Sequence, residues 1–223
     1  MATPHSQPSV TVDVVIFTLR SDDLQVLLVK RKAAPYARRW AIPGGFVNRG
    51  EPLAAAARRE LEDETGLRDV YLEQLYTFGD PKRDPRGHVI TIAYIALVPA
   101  PLAVRAGSDA ADARWWSVRD LPALAFDHAH IIEYALTRLR YKLEYTAVGF
   151  QLLPAAFTLS ELQKAYEIIL GVPLDKRNFR RKILEAQIIE ETGAQRSGDG
   201  RPAMLYRYRA DAVAEVKARR LFP

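Results

Sequence analysis

Cysteine is absent from the 223-residue sequence. That absence excludes disulfide bonds, thiolate metal sites and enzymes with a cysteine nucleophile. The sequence also lacks any apolar run near the roughly 18 residues needed to cross a bilayer. Its first ten residues, MATPHSQPSV, carry neither the basic nor the apolar segment of a secretion signal. We therefore expect a soluble protein in the cytoplasm.

Internal repeats and low-complexity segments are also missing, whereas hydrophobic residues make up 48% of the chain. This length and composition can bury a core in one large domain or two small ones. The net charge of +5 is distributed unevenly, since 13 lysines and arginines face nine acidic residues from residue 150 onward, an excess of four. A basic C-terminal third suggests an acidic partner such as nucleic acid.

The first two thirds of the chain predict a mixed α/β domain. The Ala-rich segment LAAAARRELEDET has strong helix propensity, with Pro52 in its first turn and Gly66 as its stop. The segment AIPGGFVNRGEP before it is rich in glycine and proline and predicts a loop. Apolar, β-branched segments predict strands, and a later segment has helical spacing. The strands are VTVDVVIFTL, LQVLLVKRK, VYLEQLYTFGD, HVITIAYIALV and ARWWSV, and the second helix is DHAHIIEYALTRLRYKL.

The pattern changes near residue 150. Thr158 and Glu161 have the spacing of a capping box at the start of a helix, and a second helix begins near Asp175 after a short turn. The segment TGAQRSGDGRPAMLYRYR then predicts a hairpin with a Gly-rich tip. Two helices on a short turn followed by a hairpin indicate a winged helix-turn-helix. We expect domains at 1–148 and 149–223.

The segment RRELEDETG crowds carboxylates onto one helix. Glu60 and Glu64 lie one turn apart, and Asp63 lies beside them. Such a face can supply oxygen ligands to Mg²⁺ or Mn²⁺, whose charge would cancel the mutual repulsion. A solvated face stabilised by pairs such as Arg59 with Asp63 is the alternative explanation.

The surrounding spacing resembles the Nudix hydrolase signature. Residues at matching positions between 45 and 67 are Gly45, Glu51, Arg59, Glu60, Leu61, Asp63, Glu64, Gly66 and Leu67. The resemblance implies an α/β/α sandwich that binds divalent metal and cleaves a nucleoside diphosphate linked to another group. It also implies that Glu60, Asp63 and Glu64 are catalytic and hold the metal, and that Arg59 braces the loop.

Position 63 departs from that signature, because Asp63 stands where the family has Glu. The carboxylate is one methylene shorter, a retreat of more than about 1 Å where catalytic geometry tolerates about 0.5 Å. Metal could still bind while the attacking water is misplaced. Hydrolysis is therefore left open.

Four residues around this segment are candidates for holding a nucleotide. Trp40 offers a flat apolar surface for a purine, and Arg83 and Arg86 offer cationic forks for a pyrophosphate, with Asp84 between them. A core tryptophan and a solvated loop would explain the same residues without a ligand. The RDPRG run is however similar to Nudix proteins that act on ADP-ribose, which makes ADP-ribose the expected ligand.

The segment DKRNFRRKIL predicts a DNA-recognition helix. Arginine and asparagine side chains can reach base edges, and lysines and arginines can line phosphates. The candidate DNA-binding residues are Lys176, Arg177, Asn178, Arg180, Arg181 and Lys182 on the helix, with Arg196 and Arg201 on the wing. A merely basic surface helix is the alternative, but the helix-turn-helix-wing order favours DNA binding.

A second resemblance covers nearly the whole chain. LAFDHAHII, FTLSELQ, LDKRNFRRKIL and GRPAMLYRYR together look like the Nudix-related transcriptional regulators of NAD metabolism. That resemblance implies a homodimer that senses ADP-ribose or a related nucleotide and binds palindromic operator DNA, most often as a repressor of NAD-related or sugar metabolism. A magnesium-dependent ADP-ribose pyrophosphatase, releasing AMP and ribose 5-phosphate, is the main alternative. An RNA-processing Nudix protein with a basic appendage is a third.

Overall fold

The computed structural model describes residues 7–100, 110–144, 146–197 and 202–209. These residues form two compact units. The first unit contains residues 7–17, 25–97 and 110–135, and the second contains 18–24, 98–100 and the described residues from 136 onward. In the stretches described, no helix is both long and apolar enough to span a membrane.

Nine strands and four α-helices make up the two units. Along the chain these are β1 (Ser9–Arg20), β2 (Asp23–Arg31), β3 (Trp40–Ala41), β4 (Gly44–Phe46), α1 (Leu53–Thr65), β5 (Tyr71–Phe78), β6 (Val89–Leu97), β7 (Ala110–Ser117), α2 (His128–Leu143), α3 (Leu159–Leu170), α4 (Lys176–Glu185), β8 (Ile189–Arg196) and β9 (Ala203–Tyr208). A short 3₁₀ helix, Val148–Leu152, precedes α3. The predicted α/β class and the order of helices and strands are confirmed.

A seven-stranded mixed sheet is the framework of the first unit. Its main path is β3-β2-β1-β6-β5, with β4 added to β1 and β7 added to β2. The central strand β1 runs parallel to β6, with Val12 opposite Ile92. Eight consecutive residues of β1 are buried, a pattern typical of a strand covered on both faces. Asp13 is thereby placed in the interior of the unit.

The segment before α1 differs from the sequence prediction. AIPGGFVNRGEP was expected to be a loop, but Ala41 belongs to β3, and β4 pairs with β1 so that Gly45 faces Val12. The loop prediction is therefore wrong for these residues. Local sequence could not show this, because the pairing depends on a strand about 30 positions earlier in the sequence.

The second unit has the helix-turn-helix and hairpin that the sequence predicts. The Thr158 hydroxyl accepts from the backbone N–H of Glu161, and the Glu161 carboxylate accepts from the backbone N–H of Thr158, so the capping box is confirmed. Asp175 caps α4 by accepting from the N–H of Asn178 at 2.8 Å. Phe179 on α4 packs edge-on against the buried ring of Tyr166 on α3, which holds the two helices together.

Candidate functional site

Helix α1 presents one apolar and one charged face. Ala56, Ala57 and Leu61 are buried, while Gly66 ends the helix in the left-handed conformation with φ of 75°. The charged face therefore turns toward the segment that contains β4, which α1 contacts. This arrangement places the carboxylates of α1 beside the two glycines of that strand.

Arg59 connects α1 to the preceding loop. Its guanidinium donates to both carboxylate oxygens of Glu51, at 2.7 and 2.9 Å, and to the carbonyl oxygen of Phe46 at 3.2 Å. Arg59 also donates to Glu60 at 2.5 Å. The side-chain hydrogen bond from Arg59 lowers the pKa of Glu51 to about 2. Arg59 thus braces the loop, as the signature implies.

Two glutamates of α1 approach the backbone of β4 closely. Glu64 accepts a hydrogen bond from the backbone N–H of Gly44 at 3.1 Å. A Cβ atom at position 45 would lie 2.4 Å from Oε1 of Glu60. Because real Cβ contacts are never that short, a residue other than Gly45 would displace the Glu60 carboxylate.

The predicted cluster of Glu60, Asp63 and Glu64 is not found in this structure. Arg59 holds Glu60, the backbone of β4 holds Glu64, and the Asp63 side chain is 59% exposed, compared with 12% for Glu60. Among the residues that the structure describes, no group of three or more acidic or histidine side chains is placed to hold a metal ion. The carboxylates are committed to protein partners or directed to solvent, so they do not fit a divalent cation as they stand.

A cavity of about 320 Å³ lies between the sheet, the β5–β6 loop and α2. Arg83, Asp84 and Arg86, which the sequence singled out, all contribute to its wall, as does Glu64. The remaining wall is formed by Thr11, Asp13, Val29, Lys30, Arg31, Lys32, Ala33, Ala41, Ile42, Gly44, Gly45, Phe46, Phe126 and His128. The cavity therefore combines basic side chains with aromatic rings.

Arg86 is held in the cavity wall by a carboxylate and two rings. Its Nε and Nη2 donate to Asp84 at 3.0 and 2.6 Å. Its guanidinium lies 5.0 Å from the ring centre of Phe46 and 5.4 Å from that of Phe126. Burial alone would raise the pKa of Asp84, but hydrogen bonds from Arg86 outweigh burial and lower it. Asp84 is thus a fixed anion that orients Arg86.

Arg83 forms a buried ion pair behind the same wall. Its Nε and Nη2 donate to the two carboxylate oxygens of Asp127 at 2.9 and 2.7 Å, and Nη2 lies 3.6 Å from Asp13. The Arg83 side chain is only 4% exposed. This bidentate pair connects the β5–β6 loop to the start of α2.

His128 supports the opposite side of the cavity. Its Nδ1 accepts from the backbone N–H of Ile42 at 3.0 Å, which assigns the ring proton to Nε2, 3.8 Å from Asp13. Burial lowers the pKa of His128. A neutral histidine therefore anchors the turn between β3 and β4.

Helix α4 of the second unit displays an exposed basic surface. Lys176, Arg177 and Arg181 are exposed, while Phe179 and Ile183 are buried. Arg180 donates to the hydroxyl of Ser160 at 3.2 Å. The buried face anchors the helix and leaves Lys176, Arg177 and Arg181 exposed to a large anionic partner.

Comparisons with known proteins agree with both units. Residues 9–135 match the NUDIX domain, and residues 149–208 match the NrtR DNA-binding winged helix domain. A relative from Acinetobacter baylyi, the ADPR responsive transcriptional repressor NtrR, is 40% identical over 208 residues, which are 92% of this chain and 83% of the relative. The chain belongs to the NrtR family of Nudix proteins.

Solved structures of the NrtR family have the same fold. Shewanella oneidensis NrtR in complex with a 27mer DNA has a TM-score of 0.84 at 36% identity and covers 96% of this chain and 99% of its own. The NUDIX domain of the same NrtR in complex with ADP ribose has a TM-score of 0.57 at 37% identity, with coverage of 62% and 94%. The predicted combination of a Nudix fold with a winged helix is therefore confirmed.

Two predicted site residues of this NrtR-family chain, Trp40 and Arg196, have other surroundings than expected. Trp40 does not line the cavity; it packs edge-on against Trp116, with ring centres 5.4 Å apart. Arg196 is hydrogen-bonded to Glu161 and, at 3.3 Å, to the carbonyl oxygen of Ala156, which fixes the wing to α3. Arg201 lies outside the described residues.

The remaining predicted residues of α4 differ in how many contacts they make within the protein. Arg181 donates to Asn178 at 2.8 Å and lies 3.4 Å from Glu185. Within the described stretches, Lys176 and Arg177 form no ion pair, and Lys182 is half-buried. Lys176 and Arg177 are consequently exposed and available cations of α4.

Asp13, Arg31, Phe126 and His128 are among the cavity residues that the sequence reasoning missed. A signal existed for three of them. Asp13 interrupts an apolar strand, and Phe126 and His128 lie in the segment LAFDHAHII, which already marked the resemblance. Arg31 carried no signal, because its role depends on the approach of β2 to the segment before α2.

Proposed function

We propose that this protein is an ADP-ribose-responsive transcriptional repressor of NAD-related or sugar metabolism that acts in the cytoplasm. Its Nudix unit senses the nucleotide, and its winged helices bind a palindromic operator as a homodimer. The observation that carries this proposal is the basic, aromatic cavity of a Nudix unit in the same chain as an NrtR winged helix. The functional division into 1–148 and 149–223 belongs to the same proposal.

The chemistry of the cavity suits a nucleoside diphosphate. Arginine recognises phosphate oxygens through paired N–H donors, and Arg86 and Arg31 both lie over the ring of Phe126. Phe46 and Phe126 offer apolar faces on which the ribose or base of the ligand can pack. The relative crystallised with ADP ribose is 37% identical to this chain. ADP-ribose is therefore the ligand proposed for Arg83, Asp84 and Arg86.

The surface of α4 suits the major groove of DNA. The N-terminal end of the helix carries Lys176, Arg177 and Asn178, the end that a recognition helix directs at base edges. Arginine reads guanine and asparagine reads adenine through paired hydrogen bonds. The exposed Arg181 is suited to flanking phosphates. A homodimer would place two such helices on the halves of a palindrome.

Relief of repression by ADP-ribose requires that ADP-ribose and DNA prefer different states of the protein. The ligand can weaken operator binding only by as much as it favours the state that does not bind DNA. DNA must reduce ADP-ribose affinity by the same factor. This reciprocity is a direct consequence of the proposal and can be measured.

The proposal is tested by fluorescence anisotropy of a labelled operator duplex from the region upstream of the chain's own gene. Titration of ADP-ribose should release the duplex, whereas AMP and ribose 5-phosphate, the two halves of the ligand, should release little of it. Thermal melting of the protein with the same nucleotides reports binding independently of DNA. An unchanged melting temperature and unchanged anisotropy with ADP-ribose would contradict the assignment.

A second candidate function is ADP-ribose hydrolysis with Mg²⁺ or Mn²⁺. It is favoured by the near-complete signature, in which Glu51, Arg59, Glu60 and Glu64 all stand at their positions. Nudix hydrolases generally use divalent metals, and Glu60, Asp63 and Glu64 are the residues that would have to rearrange to hold one. AMP release that requires Mg²⁺ and is abolished by Glu64→Gln would establish this activity. Asp63→Glu should increase turnover if position 63 limits it.

A further inference from the structure

We infer that the nucleotide is bound in the Nudix cavity by cationic side chains directly, without a bridging divalent cation. This inference rests on the proposed sensing of ADP-ribose and specifies how the ligand is held. It departs from the metal dependence of Nudix hydrolases. The structure carries it through the placement of the signature carboxylates and through the charge of the cavity wall.

Two of the three signature carboxylates lie outside the cavity wall, and all three are held by the protein or exposed. Glu60 is hydrogen-bonded to Arg59, which is also held by Glu51. Asp63 is mostly exposed, and neither Glu60 nor Asp63 contributes to the cavity wall. Glu64 reaches the wall, but it accepts from the backbone N–H of Gly44. The signature thus contributes one carboxylate to the wall, whereas a bridging metal would need several oxygen ligands.

The cavity wall carries more positive than negative charge. Five basic side chains line it, against three carboxylates. The Asp84 carboxylate already accepts hydrogen bonds from Nε and Nη2 of Arg86. The Asp13 carboxylate lies 3.6 Å from Nη2 of Arg83. Arg83 and Arg86 are each paired with a carboxylate, so Lys30, Arg31 and Lys32 supply the excess positive charge of the wall. A diphosphate is attracted by that field, whereas a divalent cation is repelled by it.

The arginines are also oriented before any ligand binds. Arg86 is fixed by Asp84 and by the rings of Phe46 and Phe126, and Arg31 lies 4.9 Å from the ring centre of Phe126. A guanidinium that is already positioned loses less conformational entropy when it binds phosphate. The cavity thus provides by itself the charge neutralisation that a metal supplies in a Nudix hydrolase.

Isothermal titration of the full-length protein with ADP-ribose, in excess Mg²⁺ and in excess EDTA, tests the inference. We expect dissociation constants within about threefold of each other, equivalent to about 0.7 kcal/mol. Affinity in EDTA that is at least about tenfold weaker would overturn the inference while leaving ADP-ribose sensing intact. Binding in neither buffer would overturn the proposed function itself.

Variants of the cavity wall provide a second test. Arg86→Ala should weaken ADP-ribose binding at least about tenfold in both buffers, with Arg31→Ala as an alternative if Arg86→Ala lowers the melting temperature. Arg119→Ala is the matched control, because Arg119 is an exposed arginine of the same unit outside the cavity. Native affinity in both Arg86→Ala and Arg31→Ala would overturn the inference.

Paramagnetic Mn²⁺ offers a readout that does not depend on affinity for the nucleotide. Water proton relaxation of Mn²⁺ should be enhanced no more by the complex of protein and ADP-ribose than by the protein alone or by free ADP-ribose at equal concentration. Relaxation enhanced by the complex beyond both controls would show a cation bound between protein and ligand and would overturn the inference.

Discussion

In the Nudix cavity the arginines are fixed by partners, whereas on α4 the cations are largely exposed. Arg83 and Arg86 each donate two hydrogen bonds to a single carboxylate, and the Arg83 side chain is 4% exposed. Lys176 and Arg177 lie on the surface at the start of a helix. The first arrangement suits a small ligand that needs exact placement, and the second suits a long polyanion that can be approached from many directions.

The two regions also differ in whether their charged side chains contribute to the free energy of folding or to that of binding. Removing a partner from a buried pair leaves an uncompensated charge in the protein, so the cavity arginines contribute to folding as well as to binding. Exposed cations contribute little to folding and act mainly when DNA is present. Mutations of the cavity arginines should therefore change the free energy of unfolding, whereas mutations on α4 should change mainly the affinity for DNA. Four predictions follow this division, ordered by the size of the expected effect.

Replacing Lys176, Arg177 and Arg180 together by alanine should weaken operator binding by about a thousandfold, or about 4 kcal/mol, at physiological salt. The slope of log affinity against log salt should become shallower, by about 0.9 for each of the three cations that neutralises a phosphate. Fluorescence anisotropy at several salt concentrations measures both quantities. A triple variant at Arg68, Arg114 and Arg119, exposed arginines of the Nudix unit, is the control. Equal losses in both variants would contradict the assignment of α4.

Arg83→Met should lower the free energy of unfolding by about 3 kcal/mol, because Asp127 and Asp13 lose a buried partner. Urea denaturation followed by tryptophan fluorescence measures this change. Arg114→Met is the matched control, since it breaks an ion pair with Asp112 in which Arg114 is 63% exposed. That control should change stability by less than about 0.5 kcal/mol. Similar effects of the two variants would show that Arg83 is not a buried anchor.

Thr158→Ala should destabilise the winged helix by about 1 kcal/mol, because the hydroxyl that caps α3 is lost. Thr158→Ser keeps that hydroxyl and should retain most of the stability. Thermal unfolding followed by circular dichroism compares the two variants. If alanine and serine behave alike, the capping box contributes nothing measurable.

His128→Asn should flatten the dependence of stability on pH between about 7 and 5.5. The folded protein lowers the pKa of His128, so below the usual value of about 6.5 the unfolded chain binds a proton that the folded chain does not. Acidification therefore destabilises the native protein, by less than about 1 kcal/mol down to pH 6. Asparagine keeps an acceptor for the N–H of Ile42 and has no such titration. Parallel pH profiles for both proteins would refute this role.

Much of the fold could be predicted from the sequence, because its signals are local. The capping box at Thr158 and Glu161, the helix start near Asp175 and the stop at Gly66 all depend on a few neighbouring residues, and all three are found. Strands β3 and β4 could not be predicted, since their short pairings depend on distant strands.

The candidate site was predicted only in part, for a physical reason. Spacing on a helix places Glu60, Asp63 and Glu64 near one another, but it does not show which partner each carboxylate takes. Arg59 and the backbone of β4 decide that outcome. The loop residues Arg83, Asp84 and Arg86 were identified as candidates because their chemistry was visible in a short segment. Their roles in ligand binding stay predictions.

The Glu161 carboxylate serves two neighbours at once, the backbone N–H of Thr158 and the guanidinium of Arg196 on the wing. One side chain thus secures both the beginning of α3 and the last residue of β8, next to the hairpin turn. Residues along the exposed side of α4 can change as operator sequences diverge during evolution, while this end of β8 keeps its attachment. Drift at position 161 would loosen both elements together, so we expect fewer tolerated replacements there than at the positions that face DNA.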